Sequence, residues 1–310
     1  MFRPGETVLV AVSGGPDSVC LLYSLWYLRR LFKIGLEVFH FDHRLRKDSG
    51  RDAEYVRRLA QRVRVQFHLV VADERPPRGA SIEAWARERR RRAASYVARD
   101  VGAARITTAH TQDDQAETVL MAVLTGSGLD AVAGIWPVRG DYVRPLLDVT
   151  RGDVEAFCRS LGLRPREDVT NSDMRFLRNA LRLRGLPALE RATGRQLAGP
   201  LARTGSILRD DAVLLNEQAG VAAGELIEAI PGGVRILADR LLELPKAIAT
   251  RVLSAAMFKC WVPPLRGNVE ALLDLASGQP GRRLDLGRGL KARREREYVS
   301  LSRTSPESRE

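Results

Sequence analysis

Paired cysteines, lysine and long apolar runs are scarce in this sequence, and each shortage removes a class of protein. Three cysteines occur in 310 residues: Cys20, Cys158 and Cys260. They lie far apart and form no Cys-x-x-Cys pair, which argues against a disulfide framework or a zinc site and leaves them as small buried hydrophobes. No apolar run approaches the length of a membrane span. Met1 to Gly5 leads directly into a strand-like segment and leaves no room for a signal peptide, so the expected location is cytoplasmic. Lysine is limited to Lys33, Lys47, Lys246, Lys259 and Lys291, so arginine supplies nearly all of the positive charge behind a net +12. That charge points to a polyanionic partner. The preference for arginine has an equal explanation in coding bias and carries no weight of its own. The length suits two domains rather than one small core.

The stretch around which the chain is organised is Ser13-Gly14-Gly15-Pro16-Asp17-Ser18. A Val-rich run, Glu6 to Val12, precedes it and an apolar helix-length run, Asp17 to Phe32, follows. Strand, glycine turn and helix together aim bare backbone N–H groups at an anion. Adjacent glycines let the main chain approach a phosphate where a Cβ would collide. Ser13 and Ser18 add hydroxyls, and Pro16 suits a first helical turn. The Walker A loop needs a lysine that this loop lacks. In its place stands Asp17, and a carboxylate beside phosphates suggests a bridging cation such as Mg2+.

Further polar clusters fall at the ends of strand-like segments. Leu36 to Phe41 ends in His40-Phe41-Asp42-His43-Arg44-Leu45-Arg46, and the carboxyl end of a parallel strand is the ligand side of an open α/β sheet. Two histidines and an Asp suggest a metal site as well, although no further ligand stands beside them. Asp48 to Val63, with Ser49 as its cap, carries a helical apolar stripe, and Val65 to Val71 alternates as a third strand. A helix is expected from Ser81 to Val101, bearing Arg87-Glu88-Arg89-Arg90-Arg91-Arg92, a run whose Arg89, Arg91 and Arg92 read as a solvated face. A fourth strand, Ala103 to Ala109, leads into His110-Thr111-Gln112-Asp113-Asp114-Gln115-Ala116-Glu117-Thr118. With a helix starting near Gln112, Asp114 and Glu117 share a face, near the end where the dipole favours carboxylates. They could hold Mg2+ or a cationic substrate, whereas simple capping would account for Asp113 alone. Pro187 and Gly194 loosen the chain and mark a domain boundary. Beyond it, helix is expected from Leu197 to Ala229, with Gly205 and Gly220 as weak points, and from Leu241 to Met257. Gly278 to Ser302 reads as strands and turns with a dense basic segment, and the residues after Arg303 read as frayed.

The Ser13–Ser18 hexapeptide resembles the PP-loop of the N-type ATP pyrophosphatases. Five blocks in order resemble one branch of that family, the tRNA(Ile)-lysidine synthetases: this loop, the His40–Arg46 segment, Ser81-Ile82-Glu83-Ala84 through Arg87, the Asp113–Glu117 segment with Gly126-Ser127-Gly128, and Arg144-Pro145-Leu146-Leu147 with the Glu167 to Arg182 region. The resemblance implies an α/β fold, an open parallel sheet with helices on both faces, in a catalytic domain over residues 1–190. A smaller helical or mixed C-terminal domain, 191–310, would bind tRNA. It implies ATP held by Ser13, Gly14, Gly15, Pro16, Asp17 and Ser18, with His40 and Asp42 lining the nucleotide pocket and Mg2+ on Asp17. L-lysine falls to Asp114 and Glu117. Arg87, Arg178, Asn179 and Arg182 become tRNA contacts, and Asp17, Arg87 and Arg178 the catalytic set. The resemblance also allows a homodimer. In place of the His-His of many members stands His110-Thr111.

The implied reaction ligates lysine to C2 of the wobble cytidine of tRNA(Ile) with a CAU anticodon. Cytosine O2 is a poor leaving group; transfer of AMP to it, with release of pyrophosphate, makes a good one, and the lysine ε-amine then attacks C2. The amine must lose a proton first, since its ordinary pKa is near 10.4. The alternatives are a PP-loop tRNA thiolase, against which the missing cysteine pairs count; an ammonia-using amidation enzyme such as an NAD or GMP synthetase, against which the charge and the Arg178-Asn179 block count; and a nucleotide-dependent tRNA-binding module without turnover, for which three unpaired carboxylates would have no use.

Overall fold

The computed structural model describes residues 1–45, 49–77, 79, 81–166, 174 and 176–303. The chain divides into two compact units, Met1–Arg209 and Asp210–Glu310.

The first unit is built on a six-stranded sheet of order β3-β2-β1-β4-β6-β5. Its strands are β1 (Thr7–Ala11), β2 (Gly35–Asp42), β3 (Gln66–Val71), β4 (Arg105–Thr107), β5 (Val138–Arg139) and β6 (Tyr142–Val143). All neighbours pair in parallel except β5, which runs antiparallel to β6 at the edge. The expected parallel sheet therefore ends in a short hairpin, which the two-residue strands were too brief to signal. Val8, Leu9 and Val10 are wholly buried, as a central strand covered on both faces requires. Val8 and Val10 pack with residues of α1 (Pro16–Phe32), α2 (Ser49–Val63) and α6 (Arg151–Ser160). Leu9 turns the other way, with Phe39 and Ile106, onto Ala94, Val97 and Ala98 of α3 (Ile82–Asp100). Helices thus lie on both faces.

The order reverses beside β1: β2 follows on one side and β4 on the other. A crevice opens at such a switch point beyond the strand ends. The segments after β1 and β4 flank it, which brings the Ser13–Ser18 loop and the start of α4 (Gln112–Leu124) together from distant parts of the sequence.

Several local expectations shift. Ser49 is the first residue of α2 and buried rather than its cap, and Asp48 lies outside the described residues, as does everything after Arg303. Gly205 does not weaken its helix. α9 runs unbroken from Ala198 to Leu226, and a Cβ on Gly205 would stand 2.8 Å from Val119 Cγ2; the glycine permits close packing. Pro187 does not loosen the chain either. α7 (Leu177–Ala180) passes through a π-helical turn, Leu181–Gly185, into α8 (Leu186–Thr193), with Pro187 in its first turn. Gly194 closes α8 in the left-handed conformation, and Leu197 N donates to Glu190 Oε1 at 2.8 Å. The beginning of α9 belongs to the first unit for a further reason: Arg209 Nη2 donates to the carbonyls of Ala133 and Ile135. The two compact units part inside α9.

The second unit is a five-stranded antiparallel sheet of order β7-β8-β11-β10-β9. The strands are β7 (Ile227–Ile230), β8 (Gly233–Leu237), β9 (Arg283–Asp285), β10 (Leu290–Arg294) and β11 (Tyr298–Arg303). One face packs on α10 (Ala238–Glu243), α11 (Lys246–Lys259) and α12 (Arg266–Ser277) through Val234, Ile236, Leu290, Ala292, Val299 and Leu301. The single helix expected over Leu241–Met257 is two, parted at Pro245, whose ring cannot continue a helix from before it.

Candidate active site

The loop after β1 is organised from within by Ser18. Its buried Oγ accepts from the N–H groups of Ser13 and Gly14, each at 3.1 Å, and donates to Gly15 O at 2.9 Å. Ser13 Oγ lies 3.2 Å from it. Gly14 holds φ +99°, a conformation that side chains rarely adopt. Gly15 caps α1, and Pro16 opens it. The amides of Asp17 and Ser18 therefore belong to a first turn with no i−4 acceptor, where the helix dipole favours an anion. Ser18 was expected to face a phosphate; here its hydroxyl shapes the loop instead, and the exposed hydroxyl is that of Ser13.

Asp17 carries the clearest sign of a missing partner. Its buried Oδ1 has no hydrogen bond. Burial, then the carboxylates of Asp114, Asp113 and Glu117, raise its pKa to about 6, and the charge of Arg151 opposes them in part. An orphaned carboxylate oxygen among other carboxylates, at the edge of an anion-binding loop, fits a hard divalent cation.

Across the crevice, Thr111 caps α4 and forms a capping box with Asp114. The two oxygens of Asp114 part company: Oδ2 accepts from Thr111 N at 2.9 Å, and Oδ1 accepts from Arg178 Nη2 at 2.8 Å. Arg178 Nε donates to Glu117 Oε2 at 2.7 Å. Capping thus falls to Thr111 with Asp114, while Asp113 Oδ2 receives Arg151 N at 2.7 Å and fixes the start of α6. Glu117 is 3% exposed; burial raises its pKa against the hydrogen bond and charge of Arg178. The carboxylate pair expected to hold a substrate cation therefore does hold a cation, and it is the Arg178 guanidinium, expected as a tRNA contact and in the catalytic set.

Sequence reasoning left His110 and Arg144 without a role and passed over Arg151. His110 Nδ1 lies 3.0 Å from Thr108 Oγ1. Burial, with the charges of Arg144, Arg178 and Arg87, holds its pKa down to about 4 against the opposing pull of Asp114, so the ring is neutral. Arg144 donates to Trp136 O at 2.6 Å, and burial followed by the charge of Arg87 lowers its pKa. Arg87, itself exposed, is thus brought to this side of the site. Its neighbours Arg91 and Arg92 are solvated and pair with Glu88, as expected of an outer face, whereas Arg89 is only partly exposed and pairs with Glu74. No signal short of the fold could have gathered Arg144 and Arg151.

His40 and Asp42 serve the strand ends. His40, 4% exposed, donates Nδ1–H to Val12 O at 2.7 Å, and burial lowers its pKa. Asp42 Oδ1 accepts from Arg44 N at 2.9 Å, holding a residue with φ +49°. Among the described residues no group of three His, Cys, Asp or Glu side chains is arranged to hold a metal ion. Asn179 lies beside Arg178 on α7, and Arg182 follows in the π-helical turn; residues 167–173 of the same block lie outside the described residues. No helix among the described residues is long and apolar enough to cross a membrane.

A lysine-free glycine loop at the switch point of a parallel sheet defines the PP-loop class, and residues 3–189 match the PP-loop domain family model. The fold is shared with a U34-tRNA thiolase, NcsA, from Methanococcus maripaludis, with a TM-score of 0.55 at 15% identity over 67% of this chain and 73% of that one. Over 94% of its length the chain is 37% identical to a tRNA(Ile)-lysidine synthase of Symbiobacterium thermophilum, and over 97% it is 36% identical to one of Solibacter usitatus. A third, from Thermosynechococcus vestitus, is 34% identical over 80% of the chain. The matched regions span 64%, 68% and 72% of those proteins, so the chain corresponds to about two thirds of their length. The chain belongs to the PP-loop family and, within it, to the tRNA(Ile)-lysidine synthases.

Proposed function

We propose that the protein ligates L-lysine to C2 of the wobble cytidine in tRNA(Ile) with a CAU anticodon, converting ATP to AMP and pyrophosphate, in the cytoplasm. The observation that carries this reading is the orphaned Asp17 carboxylate beside the glycine loop, facing a carboxylate pair that already grips a cation. A nucleotide cradle and a seat for an ammonium group are what the two half-reactions need side by side.

In this reading the first-turn amides of α1 and Ser13 hold the outer phosphates of ATP. Asp17 would hold Mg2+, which when bound offsets phosphate charge. Cytosine O2 attacks the α-phosphorus and pyrophosphate leaves; Arg178 and Arg87 stabilise the added negative charge. Asp114 and Glu117, released when Arg178 turns to the phosphate in that first step, then take the lysine ammonium. Glu117, whose burial raises its proton affinity, accepts the amine proton; the amine attacks C2 and AMP departs. Arg178, Asn179 and Arg182 contact the tRNA, with 191–310 as its second binding region.

Thiolation is disfavoured by the three free, buried cysteines, whose thiols burial makes harder to ionise, Cys158 to about 11. The deciding assay combines protein, ATP, Mg2+, labelled lysine and the tRNA transcript. Release of AMP and pyrophosphate with lysine in the tRNA is expected; release of ADP, or entry of sulfur, overturns the reading.

A further inference from the structure

The helices of the second unit cover one face of its sheet. The other face carries an ordered set of cations. Strand pairing aligns Arg283, Arg293, Ser300 and Arg235 in one row across β9, β10, β11 and β8. A parallel row holds Asp285, Lys291 and Ser302. Arg283, Lys291 and Arg293 are exposed, while alternate residues Leu290, Ala292 and Arg294 are buried. With neighbouring strands about 4.8 Å apart, the first row spans about 14 Å.

The pattern separates two kinds of arginine in what reads in sequence as one basic tail. Arg294 points inward and is structural: it is 6% exposed and donates to the carbonyls of Ala276 and Arg296 at 2.9 Å. On the outer face the nearby acids are engaged locally. Asp285 Oδ1 accepts from Gly287 N, Glu295 from Ser300 Oγ, and Glu228 pairs with Arg235. They leave the charges of Arg283, Lys291 and Arg293 uncompensated by ion pairs among the described residues. A shallow cavity of about 420 Å³ lies along this group, lined by Arg283, Asp285, Lys291, Arg293 and Ser302.

We propose that this row is a docking surface for an RNA sugar–phosphate backbone, with Arg283, Lys291 and Arg293 contacting phosphates and Ser302 a ribose or phosphate oxygen. The occupant rests on the tRNA reading above; the choice of backbone over base rests on the surface itself. Base recognition on a sheet uses exposed aromatic rings, and the aromatic residue of this face, Tyr298, has its ring covered by the Arg235 guanidinium at 4.3 Å. The surface therefore contributes affinity without sequence discrimination.

The test uses the full chain carrying Lys291→Glu with Arg293→Glu, and transcripts of tRNA(Ile) with CAU and of methionine tRNA. At 0.1 M salt the pair of substitutions weakens binding of both transcripts by the same factor, about tenfold, and lowers the log–log salt slope by about 1.5. Binding of an ATP analogue stays at the wild-type value. The charge-keeping pair Lys291→Arg with Arg293→Lys, and Lys259→Glu on α11, bind as wild type. Should the reversal pair disturb folding, Lys291→Gln with Arg293→Gln is read in its place. Unchanged tRNA affinity and salt slope in a folded variant overturn the proposal, as does a loss confined to one transcript. Failure of the wild-type chain to bind either tRNA overturns the proposed function instead.

Discussion

Removing the Arg178 guanidinium should expose how the carboxylate pair is held. Arg178→Ala leaves Asp114 and Glu117 without the cation that bonds to both, at 2.8 and 2.7 Å. Breaking a fully buried pair costs about 3–5 kcal/mol. Arg178 is 28% exposed, and solvent reaches the Asp114 side, so about 2 kcal/mol is the reasoned loss at pH 8. For a unit of this size that is about 4–8 °C in melting temperature. The loss depends on pH. Burial already raises the Glu117 pKa in the fold, and the substitution removes the two influences that lower it, the Arg178 hydrogen bond and charge. The folded variant then binds a proton more tightly than the unfolded chain does, so its stability falls as pH rises above the ordinary glutamate range. The deficit relative to wild type is therefore larger at pH 8 than at pH 5.5, which lies closer to the range where a carboxyl raised in this way takes up its proton. Thermal unfolding at the two pH values measures it. An equal deficit at both would refute the idea that Arg178 holds the Glu117 pKa down against burial. The same variant loses pyrophosphate release; wild-type release would remove Arg178 from the α-phosphate.

Asp17→Asn removes a carboxylate whose pKa in the fold, about 6, lies well above the ordinary aspartate value, and such a group costs stability as pH rises through that interval, roughly 3 kcal/mol at pH 7. The variant should melt higher than wild type at pH 7 without Mg2+ and equally at pH 4, while Mg2+–ATP binding by calorimetry disappears; identical melting at both pH values would mean that Asp17 is not raised. Ser18→Ala strips the acceptor of two loop amides, costs about 1–3 kcal/mol and weakens binding of an ATP analogue at least about tenfold; unchanged affinity would mean the loop is held by other means. Asp114→Asn keeps an oxygen for the capping bond to Thr111 N but removes the charge, so pyrophosphate release persists and the KM for lysine rises; equal loss of both steps would show the roles to be misassigned.

What could be read in advance was what local pattern controls. The buried run before Ser13, the glycines after it and the apolar stripes of α1 and α2 place a strand, a loop and helices on one side of a parallel sheet. Asp114 and Glu117 are three apart on a helix whose start Thr111 marks, so their shared face was legible too. The chain closes the site with residues that only tertiary structure gathers. Arg178 reaches Glu117 from 61 residues away, and Arg151 reaches Asp113 through its backbone amide, which any residue type but proline could supply. Ser18 illustrates a subtler limit. A hydroxyl in a phosphate loop can face the ligand or the loop, and its direction depends on where the Ser13 and Gly14 amides turn. Arg293 and Arg294 differ only in strand parity, which a run of arginines hides until the register is known.

The charges are arranged by scale. The chain as a whole is strongly cationic, yet around the glycine loop stand four carboxylates, and those of Asp113, Asp114 and Glu117 add to the burial that raises the Asp17 pKa. A polyanion approaching that cluster alone would be repelled. Arg87, Arg144, Arg151 and Arg178 stand among or beside the acids, and the effect is an alternation of sign over a few ångströms rather than a patch of either. That alternation suits a reaction that joins a cation to a polyanion. The ammonium needs carboxylates, the phosphates need donors, and the two must come within bonding distance across one nucleobase. In the proposed reaction, long-range attraction for the nucleic acid would then come from elsewhere, and the outer-face cations Arg283, Lys291 and Arg293, without ion pairs among the described residues, would supply it.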